Sequence, residues 1–270
     1  MQESHSHLPS ADRVGILVAS ILLTFALTQI VQSPRLTLII ELPGFYFAYP
    51  LTIGTGMTIL AAALSATGMS WLMHEHPALG KKASIEHLLL PTLATFVIGA
   101  SLALLPNTAW WMGFFVSAIL ITSVFLAEYI AIDPSAPMYA FARAGLTAVA
   151  YALFLILTNA LRFSGARMFL LVPVIFIAAM LISLRVLRLD GTDRWDFPWA
   201  IGIGIVCMQI SAGLHYWALT PLQFGLALIG PLYGLTALNT SLAENVPLRR
   251  AAFGPVLIVA LAWIWAIFLR

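Results

Sequence analysis

Long apolar runs alternate with short polar breaks along the whole chain. The runs lie near 14–32, 49–73, 87–105, 109–131, 139–160, 168–187, 198–216, 221–240 and 251–269. A spanning α-helix needs ~20 mostly apolar residues, because the hydrocarbon core is ~30 Å thick and each residue rises ~1.5 Å. Each run therefore predicts a spanning helix. The breaks carry turn residues and charges: Ser33-Pro34-Arg35, His74 to Glu86, Pro106-Asn107, Asp133-Pro134-Ser135, Arg162 to Arg167, Arg188 to Pro198, Thr220-Pro221 and Glu244 to Arg250. They are short, so consecutive helices are antiparallel neighbours with no room for a soluble domain. The expected fold is all-α, a polytopic transmembrane helical bundle of about nine spanning helices. It forms one integral membrane domain over 1–270, with a polar cytoplasmic tail at 1–12.

One piece breaks the pattern. Leu36 to Tyr49 reads LTLIIELPGFYFAY, too short to span and too apolar for an ordinary loop. Pro43-Gly44 would break a helix in its middle. The expectation is an outer interfacial or shallow re-entrant segment over 33–48, with its aromatics among the headgroups.

Lysine and arginine set the orientation. One side of this topology holds Arg13, Lys81, Lys82, Arg143, Arg185, Arg188, Arg194, Arg249 and Arg250, and the other holds Arg35, Arg162, Arg167 and Arg270. The richer side is cytoplasmic by the positive-inside bias, placing the N-terminus inside and the C-terminus outside. Tryptophan agrees. Trp71, Trp195 and Trp199 fall at cytoplasmic helix ends, and Trp110, Trp111, Trp217, Trp263 and Trp265 at or near outer ends.

A shift of 130 residues lays the first helix on the fifth. Arg13 meets Arg143, Gly15 meets Gly145, Leu23 meets Leu153, Leu27 meets Leu157, Thr28 meets Thr158, and Gln29 meets Asn159. Read as a duplication, the chain is a parallel repeat of four and four helices plus a ninth, an arrangement that places sites at the repeat interface in some transporters. The alternative is coincidence between two leucine-rich helices.

Composition sharpens the class. Apolar residues make up 61% of the chain and charged ones 9%, against roughly 25% charged in an average soluble domain. A net charge of +2 is too small and scattered for a nucleic-acid partner. Cys207, inside an apolar run, has no second cysteine to pair with. The run from Val14 to Val31 is longer than the 7–15-residue core of a signal peptide and reads as an uncleaved first helix. An inner membrane follows from compactness and the missing organellar signal.

Candidate chemistry is sparse. A charge deep in the bilayer costs ~2.5–3.5 kcal/mol on insertion scales, so such residues usually mark function. Glu128 is the deepest acid, and Arg143 lies at similar depth across a tight hairpin. An ion pair locking the fourth helix to the fifth is the first reading. A proton or ion relay and snorkelling without pairing are the others. His74, Glu75, His76, Glu86 and His87 gather in the cytoplasmic break after the second helix. Alternate histidines beside carboxylates suit a divalent metal, but solvated loops often carry such spacing and Lys81 and Lys82 intervene, so no metal site is assigned. His215 has no histidine at matched depth for a bis-histidine haem, and no cofactor is assigned.

On the outer side Gln29, Asn159, Arg162, Arg167, His215, Tyr216 and Gln223 would converge beneath the 36–49 segment. Such a patch would hold an anionic headgroup or a small solute; the simpler reading is interfacial residues meeting water. The chain has no nucleophile elbow, no His-Glu-x-x-His and no phosphate-binding loop, and no catalytic residue is assigned. Gly202-x-Gly204 and Gly54-x-Gly56 fit close helix packing. His215 to Leu235, HYWALTPLQFGLALIGPLYGL, resembles a helix-turn-helix of poorly characterised polytopic bacterial membrane proteins; the resemblance implies a family of unknown function and carries no residue roles.

Three classes follow. The first is a non-catalytic structural or accessory protein, whose partners are the bilayer and a protein of a membrane complex. The second is a transporter or permease for a neutral or lipid-like solute. The third is a membrane enzyme acting on lipid headgroups.

Overall fold

The computed structural model describes residues 9–31, 36–42, 45–74, 76, 85–189 and 195–268. Among them are nine helices: α1 (Ala11–Ile30), α2 (Ile53–Met73), α3 (Glu86–Leu102), α4 (Asn107–Ile130), α5 (Tyr139–Phe163), α6 (Met168–Leu189), α7 (Phe197–His215), α8 (Pro221–Ala243) and α9 (Leu248–Phe268). Eight are long and apolar enough to cross a bilayer. The chain is a multi-pass membrane protein. The exception is α3, whose 17 residues reach ~26 Å at ~1.5 Å each. It stops short of the predicted run because residues 103–105 turn before Pro106, the N-cap of α4.

The segment after α1 has a secondary structure that the hydropathy pattern leaves open, and its outer interfacial place stays a proposal. It is an antiparallel ribbon of β1 (Leu36–Leu42) and β2 (Phe45–Leu51), in register from Leu36 opposite Leu51 to Leu42 opposite Phe45. The physical reason is local. Ile, Thr, Phe and Tyr favour a pleated backbone, and a two-residue connection is what an antiparallel hairpin takes. Thr37, Ile39 and Glu41 alternate as exposed positions along β1. Pro43 and Gly44 themselves lie outside the described residues, as do Arg35, Glu75, Lys81, Lys82, Arg194 and Arg270.

The chain divides into two compact units, 1–142 and 143–270, and the single domain expected over 1–270 is described unit by unit. In the first unit α1 packs on α2 and α4, α2 on α3, and α3 on α4. Leu17, Ile21, Phe25, Met69, Leu72, Ile98, Trp110, Ile121 and Phe125 form its core. Arg13, at the start of α1, lies 5.1 Å over the Trp71 ring near the end of α2, so these two ends share one side.

In the second unit α6 and α8 are the most buried spans and α9 the least. The Tyr151 hydroxyl on α5 meets Thr236 Oγ1 on α8 at 2.5 Å. Several buried hydroxyls bond back to their own helix, as Thr24 does to Ser20 O, Thr95 to Pro91 O and Thr158 to Phe154 O, each at 2.9 Å. With no water in hydrocarbon, that return bond lets a polar side chain sit in the core.

Candidate functional site

The first unit buries a carboxylate beside an imidazole. Glu128 is in the last turn of α4 and His87 in the first turn of α3, so antiparallel packing brings them to the same end. His87 Nδ1 lies 2.9 Å from Glu128 Oε2. The Glu128 side chain is 0% exposed and that of His87 8%. On the other edge of the ring, Nε2 is 3.6 Å from Glu86 Oε1, whose side chain is 13% exposed. His76, which follows α2, stacks edge-on against Tyr129 at 4.5 Å.

A carboxylate without water needs a partner, because removing a charge from water costs several kcal/mol even after relaxation. His87 supplies one across the α3–α4 contact. An imidazole has two distinct nitrogens and donates from both only when charged. A ring between two carboxyl groups is therefore a place where a proton can reside on any of three side chains.

The sequence-predicted partner of Glu128 was Arg143. The two lie in different units, so that pairing stays a proposal. Among the described residues no group of three or more His, Cys, Asp or Glu is arranged to hold a metal. His74 is exposed, with Nδ1 at 2.7 Å from Ser70 O.

In the second unit Arg162 of the predicted outer patch meets the backbone of His215. Arg162, near the end of α5, donates from Nη1 to His215 O at 3.1 Å and from Nη2 to Trp217 O at 3.0 Å. These carbonyls belong to the end of α7, where orphan acceptors and the helix dipole favour a cation. The guanidinium also lies 5.5 Å from the Phe224 ring centroid. Gln223 closes a capping box with Thr220 at the start of α8, the Thr220 N–H donating to Gln223 Oε1 at 2.8 Å. Asn159 sits one turn before Arg162 and donates to Leu155 O at 3.2 Å. Tyr216 stacks on His215 and its hydroxyl reaches Met168 Sδ at 3.4 Å. Arg167 is exposed just before α6, and Gln29 is exposed at the end of α1 in the other unit. A separate open groove of about 300 Å³ is lined by Tyr151, Ile229, Gly230, Tyr233, Ile258 and Ala262.

A family model described as protein of unknown function (DUF5656) matches residues 33–269. The chain belongs to this family. The match to DUF5656 runs from before the β-hairpin to the end of α9 and assigns no residue a role. No curated protein and no solved structure matches.

Sequence reasoning placed His87 in a solvated loop and missed its contact with Glu128. One signal was available: both residues fall at the same predicted end of consecutive antiparallel helices. Their shared depth made them candidates for each other as much as for Arg143. Rotation of each helix about its axis decides between such partners, and hydropathy does not carry that rotation.

Proposed function

We propose that the protein is a non-catalytic structural or accessory component of a complex in the inner membrane. The observation that supports this most is the use made of Arg162. One of the two arginines of the patch is spent on His215 O and Trp217 O, bracing the α7–α8 turn. Gln223 is likewise engaged in the capping box of α8. Residues so engaged serve the fold, which weighs against a lipid-headgroup enzyme built on them. Purification in mild detergent tests the reading. A partner retained at fixed stoichiometry through gel filtration is the expected result. A chain that migrates alone in every mild detergent overturns it.

A transporter for a neutral or lipid-like solute is the second reading, and the helix neighbours favour it. In the first unit α2 contacts α3 and α4, and α3 contacts α4; in the second α6 contacts α7 and α8, and α7 contacts α8. The α1–α4 contact has its counterpart in the bond from α5 to α8. These shared neighbours, with the unit boundary falling before Arg143, favour the duplication proposed from the 130-residue shift, although the α1–α2 contact has no counterpart of like extent between α5 and α6 among the described residues.

The proposed orientation, N-terminus cytoplasmic and C-terminus outside, rests on the lysine and arginine bias and on α3 crossing with the other eight helices. Cys207 is buried and the lone cysteine, so a Cys207→Ala background suits thiol labelling. An impermeant maleimide on whole cells is expected to label Phe268→Cys and to reach Ser10→Cys only after permeabilisation. Labelling of both from one face would mean that α3 does not cross, and the parallel duplication would fall with it.

A further inference from the structure

We propose that Glu86, His87 and Glu128 form a proton relay that loads and unloads one proton on the buried Glu128 from the side where α3 begins. This goes beyond the accessory reading and does not depend on it.

The geometry gives the relay a direction. Exposure falls from 13% at the Glu86 side chain to 8% at His87 and 0% at Glu128. The imidazole lies between the two carboxyl groups, Nε2 towards Glu86 at 3.6 Å and Nδ1 towards Glu128 at 2.9 Å. The inner contact is already a hydrogen bond. The outer one needs a shift of under an ångström, or one bridging water, to become one.

The step balances. A proton on the Glu86 carboxyl passes to His87 Nε2, forming an N–H bond as the O–H bond breaks. The Nδ1 proton leaves for Glu128 Oε2. Glu86 ends as a carboxylate, Glu128 as a carboxylic acid, and the imidazole is again neutral with its tautomer exchanged. One proton has moved inward and the net charge of the trio has not changed during transfer. The hydrogen bond then reverses, Glu128 donating to Nδ1.

Other polar groups sit on the elements packed around the trio. Tyr129 from α4 packs against His76, which follows α2. Arg13 of α1 lies over Trp71, and Asp133, in the turn after α4, accepts from the Ser135 hydroxyl at 2.6 Å. Lys81 and Lys82 belong to the segment between α2 and α3 that lies outside the described residues. A locked ion pair would keep one protonation state across the physiological range, whereas a relay must titrate within it.

Infrared titration of full-length protein in micelles, between about pH 5 and about pH 9, tests this because histidine-linked protons exchange there. The expected result is one buried carboxyl band that appears as pH falls and is absent in Glu128→Gln. Glu86→Gln should move its midpoint, since the outer carboxyl that exchanges protons with His87 is lost. His87→Gln should move the midpoint as well. No carboxyl band in this range, or a band unmoved by all three substitutions, overturns the proposal. Should Glu128→Gln fail to fold, ¹⁵N-histidine spectra of the unaltered chain decide. Tautomer exchange at one imidazole tracking the carboxyl band supports the relay, and shifts constant throughout the range refute it.

Discussion

Glu128→Ala is expected to cost the protein about 1–3 kcal/mol, the range found when a buried hydrogen-bond partner is left unsatisfied. Two losses combine. The His87 ring keeps its polar Nδ1 but loses the oxygen 2.9 Å away. The deletion also opens a void where α4 packs on α3, beside a core that includes Tyr129 and Phe125. Alanine at His87 should cost as much or more if Glu128 is then left charged and dry. The double substitution should be less damaging than the two single losses added together, because each single change strands the other partner. Reversible unfolding of the four variants in mixed micelles reads this directly. A Glu128→Ala loss below about 1 kcal/mol, the scale of an ordinary surface pair, would mean that the pair does not hold α3 to α4.

How much of this was legible before the structure differs by element. The spanning helices follow from hydropathy alone, because a bilayer forces backbone bonds to close within the segment and a run of ~20 apolar residues has only one way to do that. The β-hairpin is not legible from Pro43-Gly44 alone. A proline and glycine in an apolar stretch signal a broken helix as readily as a turn. The flanking runs, LTLIIEL and FYFAYPL, held the better clue in their β-branched and aromatic content. Grouping Arg162 with His215 and Gln223 by depth near turns does not say what Arg162 bonds. Its acceptors are main-chain carbonyls at the end of α7, which no side-chain inventory reveals. The His87–Glu128 contact was lost for the related reason that helix rotation is a tertiary property.

The other large effect concerns α9. Among the described residues α9 packs mainly on α8, and its buried positions are Ala251 and Ala266. The contact is made at Gly230 and Gly234 of α8, four residues apart on one face, the small-xxx-small spacing that lets spanning helices approach closely. A Cβ at Gly230 would stand 2.7 Å from Ala262 Cβ, and one at Gly234 would stand 2.9 Å from Val259 Cγ2 and 3.3 Å from Pro255 O. Ala262 Cβ is fixed to its own backbone, so relief requires α9 itself to move. Lipid cannot restore what is lost, because chains of the bilayer are as apolar as the side chains they would replace and association here depends on fit. Gly230→Leu is therefore expected to cost about 1–3 kcal/mol from overpacking. A lost bond from Trp263 Nε1 to Ala227 O, 3.1 Å long, would add about 1 kcal/mol. Gly230→Ala should act in the same direction with a smaller effect. Hydrogen exchange followed by mass spectrometry locates the damage: amides of Leu248–Phe268 should lose protection while those of α6 keep it. Unchanged exchange across α9 in Gly230→Leu would mean that the glycines are not what seats it.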